Sequence, residues 1–235
     1  MNDSPYQKEN KSLGVTASPR RRVGFYGGSF DPVHRGHLAV AHALLEQFEM
    51  DEFVFIPAFH APHKIRIKPT SAYDRYAMLC LVTENEPKIS VSRIEIESPE
   101  HPFSVETLTR IIADKPNDEI YFVMGADSWM DITTWRDWER LLSLSNHIVV
   151  ARPGVEIGDS HVTDKISNQI VNVGVDVVNP ERPATGEPSI FITESVNIDV
   201  SASEIRRKIR ENDASWHDDV SREVANYIEK YQIYK

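Results

Sequence analysis

From Arg22 onward, short apolar runs alternate with segments of helical period, and this alternation constrains the fold more than any other feature. VGFYGG reads as a buried strand entering a glycine turn, and LAVAHALLEQF, from about Gly36, as a helix. EFVFIPA is a second strand, and SAYDRYAMLCLVTE a helix with Ser71 as its N-cap. The pattern repeats through KISVSRIEI (strand), SVETLTRIIAD (helix), EIYFVMG (strand), WRDWERLLS (helix) and NHIVVAR (strand). Residues 155–188 are the least regular, with alternation around QIVNVGVDVV. SIFITE then reads as a strand, and SASEIRRKIREN and DVSREVANYIEKY as two closing helices. Strands alternating with helices imply right-handed βαβ units. The expected class is therefore α/β: a doubly wound, mainly parallel sheet with helices on both faces. The polar, aperiodic residues 1–20 are expected to be a flexible leader, and residues 21–235 a single domain with the C-terminal helices packed on it.

Composition narrows the function classes. The chain has 40% hydrophobic and 26% charged residues, close to ordinary globular usage. Its formal charge of -10 argues against a nucleic-acid partner, though not against a local basic pocket for small phosphates. The single cysteine, Cys80, excludes an intrachain disulfide, and its apolar surroundings suggest an inert core thiol. No apolar run is long enough to span a bilayer, and the first twenty residues lack the apolar segment of a secretory signal. A cytoplasmic location without a membrane partner is expected; the oligomeric state is left open.

In parallel sheets, ligands bind beyond the C-terminal strand ends, which directs attention to two loops. GGSFDPVHRGH follows the first strand. Gly27 and Gly28 let backbone N–H groups approach a phosphate, and the helix start adds donors and a favourable dipole. His34 and His37 can share one face there and donate to phosphate oxygens. The glycines also fit a simple tight turn, the histidines surface positions, and Asp31, His34 and His37 a metal site. Late in the chain, Ser201-Ala202-Ser203-Glu204-Ile205-Arg206 opens a helix. Ser201 and Glu204 fit a capping box, sufficient structural reason for both. Ser203 can add a hydroxyl and Arg206 a forked donor for phosphate, or Arg206 can sit on a solvated face.

The string GGSFDPVHRGH resembles the signature of the nucleotidyltransferase superfamily with an H-x-G-H motif, and within it the bacterial nicotinate-nucleotide adenylyltransferases. Val-Ser-Ala-Ser-Glu-Ile-Arg resembles the family's second motif, I-S-S-T-x-I-R, with Ala202 replacing a serine. Phe59-His60-Ala61-Pro62-His63-Lys64 resembles P-P-H-K, with Ala61 in place of a proline. HPFSVETL resembles S-Y-T-x-D-T-L, and GADSW with Trp135 downstream resembles G-x-D…W. The resemblance runs from about residue 22 to the C-terminus, omitting the middle of 155–188.

That resemblance implies a Rossmann-like nucleotidyltransferase fold and transfer of an adenylyl group from ATP to nicotinate mononucleotide, with NAD as the pathway's end product. It places Gly27, Gly28, Ser29, Phe30, Asp127, Ser201 and Ser203 on ATP, and His34, His37 and Arg206 in catalysis. Lys64, Phe103, Ser104, Trp135 and Arg152 would hold the acceptor. Trp129 and Trp138 read better as core aromatics. Mg²⁺ would arrive on ATP, with no protein metal cage. Rival readings are an adenylyltransferase for nicotinamide mononucleotide or phosphopantetheine, or a non-catalytic nucleotide-binding regulator. An aminoacyl-tRNA synthetase is set aside because the chain is short and acidic.

Overall fold

The computed structural model describes residues 20–59, 70–98, 102–151, 157–181, 186–194, 196 and 200–235. The strands are β1 (Arg22–Gly28), β2 (Glu52–Pro57), β3 (Ile89–Val91), β4 (Glu119–Gly125), β5 (Asn146–Val150), β6 (Ile170–Val173) and β7 (Ile190–Thr193). The α-helices are α1 (Arg35–Gln47), α2 (Ala72–Thr83), α3 (Ser104–Asp114), α4 (Ala126–Met130), α5 (Trp138–Leu144), α6 (Asp164–Ser167), α7 (Ala202–Arg210) and α8 (Arg222–Tyr231). Among the described residues, 7 strands pair in parallel in the order β3-β2-β1-β4-β5-β7-β6.

Strand periodicity gives each sheet face its own core. Phe53 and Phe55 on β2, Tyr121 and Val123 on β4, and Ile148 on β5 pack with α1, α2, α7 and α8. The intervening Val54, Ile56, Phe122, Met124 and Val149 pack with α3 and α5 on the other face. This is the arrangement expected when helices cover both faces of a parallel sheet. No helix among the described residues is long and apolar enough to cross a membrane.

The order reverses at β1, which lies between β2 and β4. Chain connections leave this point in opposite directions, so a crevice opens beyond the C-terminal ends of β1 and β4. The GGSF and GADS segments flank that crevice.

Several local expectations change. KISVSRIEI forms a strand over Ile89–Val91 only. The Ser92 amide still donates to the Phe55 carbonyl, but the Ser92 hydroxyl then accepts from the Ile94 amide at 3.2 Å and the chain turns. The helix expected over WRDWERLLS starts at Trp138; Trp135 is extended, after a 3-10 turn at Ile132–Thr134. Residues 155–188 contribute α6 and the edge strand β6. Cys80 is half-buried on α2 rather than in the core. The Ser71 cap is present, its hydroxyl accepting from the Tyr73 amide at 3.3 Å.

Candidate active site

The first loop is packed from within. Phe30 has a left-handed φ of 48° and folds its ring against Gly28. A Cβ on Gly28 would lie 2.8 Å from the Phe30 Cζ, so close packing alone requires glycine there. Phe30 borders the cleft, yet its ring is a core group.

The two histidines are coupled at the start of α1. His34 is the N-cap, and its amide donates to His37 Nδ1 at 3.2 Å. Their rings stack with centroids 3.7 Å apart. Because Nδ1 of His37 accepts a hydrogen bond, the neutral ring carries its proton on Nε2. His37 is thereby a donor through Nε2, with Phe30 packed edge-on against its ring at 4.9 Å.

A buried arginine holds this loop to the next strand. Arg75 on α2 is 1% exposed. It donates to the carbonyl oxygens of Ser29 (2.6 Å), Ala58 (2.6 Å) and Thr70 (3.1 Å). Burial lowers its pKa, with the Asp31 carboxylate opposing. Asp31 is itself buried: Oδ1 accepts from the Tyr234 hydroxyl at 2.7 Å and Oδ2 from the Thr70 amide at 3.3 Å.

The late motif reaches the same loop. Ser201 caps α7 by accepting from the Glu204 amide at 3.3 Å. Arg206 donates to the Asp31 carbonyl at 2.5 Å and to the Ser203 hydroxyl at 3.2 Å. Its neighbours face elsewhere: Arg207 pairs with Glu204 and Glu211, and Lys208 with Asp219 at 2.8 Å. The helical period thus separates one cleft-facing arginine from outward ones.

Across the crevice, α3 begins at Ser104, with Phe103 as its N-cap. The Glu106 amide donates to the Phe103 carbonyl at 2.9 Å, and the Glu106 carboxylate accepts from the Phe103 amide at 2.8 Å, so this helix start already attracts one anionic group. Phe103 is 39% exposed, and the Arg136 guanidinium sits 4.8 Å from its ring centroid. Trp135 is half-buried against the second core, and Asp127 lies exposed in the first turn of α4. Trp129 is a core aromatic as expected, with its indole N–H donating to the Gly158 carbonyl at 3.1 Å. Trp138 is half-buried against the same core. Glu95, at the cleft wall, accepts from the Thr107 hydroxyl at 3.0 Å and from the Phe59 amide at 3.3 Å. Burial pushes its carboxyl up to about 7, against both hydrogen bonds and the charge of Arg75.

These elements enclose one cavity of about 890 Å³, within the range of small-molecule sites. It is lined by Gly27, Gly28, Ser29, Phe30, His34 and His37 from the first loop. Ser201, Ser203 and Arg206 line it from the late motif, and Phe103, Ser104, Asp127 and Trp135 from the facing wall. Lys64 and Arg152 lie outside the described residues. Sequence pattern alone does not mark Glu95, Arg136, Arg75 or Tyr234 as site residues. Arg136 adjoins the tryptophan of a recognised segment, which is a usable signal; the other three depend on tertiary contacts. Among the described residues, no group of three or more His, Cys, Asp or Glu side chains is placed to hold a metal ion. The alternative site on Asp31, His34 and His37 does not fit, because the Asp31 carboxyl is engaged by Tyr234 and Thr70.

Similarity to known proteins agrees with this geometry. A cytidylyltransferase-like family model matches residues 25–208. A Thermus thermophilus protein described as a "probable nicotinate-nucleotide adenylyltransferase" is 34% identical over 216 residues, covering 91% of this chain and 100% of its own. A Corynebacterium glutamicum protein of the same description is 31% identical over 223 residues, covering 95% and 93%. The fold also matches Plasmodium falciparum nicotinic acid mononucleotide adenylyltransferase complexed with NaAD. There the TM-score is 0.66 at 20% identity, over 92% of this chain and 98% of that one. With its first and last motifs gathered on one cleft, the chain belongs to the cytidylyltransferase-like family and, within it, to the nicotinate-nucleotide adenylyltransferases.

Proposed function

We infer that this chain is a cytoplasmic enzyme that transfers the adenylyl group of ATP to nicotinate mononucleotide, releasing pyrophosphate and forming nicotinate adenine dinucleotide. One observation carries the reading: Arg206 bonds the Asp31 carbonyl, so the late motif closes on the loop that holds the stacked His34 and His37. Family membership supplies the acceptor. The polypeptide from residue 21 onward acts as a single domain in this reading, consistent with both cores sharing one sheet.

The chemistry needs no protein nucleophile. A phosphate oxygen of the mononucleotide attacks the α-phosphorus of ATP in line, the bond to the β-phosphate bridging oxygen breaks, and pyrophosphate leaves with the electron pair. Positioning and charge neutralisation then supply the rate. His37 Nε2–H donates to phosphate oxygen as charge moves towards the leaving group, with His34 stacked beneath it. Arg206 spends two of its donors on Asp31 and Ser203, and a guanidinium carries five, so its fork still has donors for phosphate. Gly27, Gly28, Ser29 and Phe30 border the triphosphate, with the starts of α1 and α7 as anion-favouring ends. Asp127 is assigned to the ATP side, with Ser201 and Ser203. Mg²⁺ enters as part of the substrate MgATP, held by phosphate oxygens and water.

On the acceptor side, the start of α3 at Ser104 suits the pyridine carboxylate, and Phe103 and Trp135 offer flat faces to the ring. Lys64 and Arg152 are assigned to the acceptor on family resemblance. Incubation with MgATP and nicotinate mononucleotide should give equimolar dinucleotide and pyrophosphate by mass spectrometry. Absence of dinucleotide would overturn the assignment.

A further inference from the structure

We propose that Tyr234 is a positioning residue for the nucleotide-phosphate side of the cleft, acting through the Asp31 carboxyl to set where the first loop and Arg206 meet. The inference rests on reading this cleft as an ATP site.

Tyr234 follows α8, which docks on α2 through the Tyr227 hydroxyl donating to Asp74 Oδ1 at 2.9 Å. The chain then turns at Gln232, which has a left-handed φ of 53°, and Tyr234 itself has φ 71°. Left-handed backbone is unfavourable for both residue types, so something must hold it. The Tyr234 ring packs on the apolar core, and its hydroxyl donates to Asp31 Oδ1 at 2.7 Å. Burial first, and the adjacent Asp31 carboxylate second, push that hydroxyl well above its ordinary value, so it remains a donor.

Asp31 is the junction of the phosphate machinery. Its carboxyl takes Tyr234 on one oxygen and the Thr70 amide on the other, while its carbonyl takes Arg206. Arg75, which holds the Ser29 carbonyl, is close enough to feel the Asp31 charge. Removing the Tyr234 hydroxyl leaves a buried carboxylate oxygen without its donor. The Asp31 side chain must then re-aim, and the carbonyl bound by Arg206 moves with it. Phe103 and Ser104, at the start of α3, and Trp135 belong to the sheet face opposite the one on which Tyr234 packs. A general loss of stability would affect both substrates; a positioning role affects only one.

The test is Tyr234→Phe in the full chain, with two readouts below the unfolding temperature. The dissociation constant of a non-hydrolysable ATP analogue should rise at least fivefold. The KM for MgATP should rise in parallel, with the KM for nicotinate mononucleotide within twofold of wild type. In an Asp31→Ala background, Tyr234→Phe should add no further effect, because the coupling partner is gone. Analogue affinity within twofold of wild type would overturn the inference. So would parallel weakening of both substrates, or full additivity with Asp31→Ala. If wild type binds the analogue but turns over no nicotinate mononucleotide, the assigned reaction fails; weakened analogue binding by Tyr234→Phe would still support the positioning role.

Discussion

Arg206 and Asp31, 175 residues apart in sequence, are joined by a 2.5 Å hydrogen bond from guanidinium to backbone carbonyl. Neither an ammonium nor a neutral side chain reproduces this bond together with the one to Ser203, since a planar fork sets both directions. Arg206→Lys should therefore lose activity almost as severely as Arg206→Ala, with kcat/KM falling roughly 10²–10³-fold as for removal of one preorganised charge-stabilising donor. Steady-state kinetics of both variants checks this; a lysine variant near wild type would deny the fork its role.

His37→Ala separates catalysis from folding. The variant loses the Nε2–H donor, for which roughly 10²–10³-fold in turnover is expected. It also loses the acceptor for the His34 amide, a capping interaction of about 1 kcal/mol. For a chain of this size that lowers Tm by roughly 2–4 °C. Turnover should thus collapse in a protein that unfolds almost normally. Near-normal turnover from the purified variant contradicts the role.

Arg75→Leu tests the frame behind the loop. The side chain is of similar bulk but leaves the Ser29, Ala58 and Thr70 carbonyls without their buried donor. Each unsatisfied group costs about 1–3 kcal/mol. A loss of roughly 3 kcal/mol or more in denaturant unfolding is expected, and a loss under 1 kcal/mol would show that water replaces the guanidinium.

Glu95 makes stability depend on pH. Its carboxyl titrates near 7 in the folded chain against an ordinary value of 4.5. Between these values the folded chain retains a proton that the unfolded chain has released, so stability falls as pH rises through this window and levels off above it. Gln keeps both contacts, accepting from the Phe59 amide and donating to the Thr107 hydroxyl. Glu95→Gln should be more stable than wild type at pH 8 by roughly 1–3 kcal/mol, with the gap closing towards pH 5. Thermal unfolding at the two pH values measures it, and a gap that is constant or reversed contradicts the assignment.

Residues whose role is local were legible in the sequence. The glycine loop, the Ser71 and Ser201 caps and the two-faced strands follow from backbone geometry and periodicity, and the structure has them where expected. Arg206 stood out among the basic residues of α7 through its motif, and helical period turns it alone towards Asp31. What escaped was long-range. Arg75 reads as an ordinary helix residue until the ends of β1 and β2 bring three carbonyls around it. Glu95 was lost inside an overlong strand, because the Ser92 hydroxyl's bond to the Ile94 amide is a local competitor that periodicity does not register. Tyr234 offers no sequence signal for contact with Asp31.

The most direct measurement is pyrophosphate release from MgATP by the purified protein, with nicotinate mononucleotide and nicotinamide mononucleotide run side by side. Rapid release is expected with the acid and little with the amide, as a carboxylate held at the start of α3 requires. Release with neither acceptor would contradict it, and would turn attention to phosphopantetheine or to a non-catalytic nucleotide-binding role.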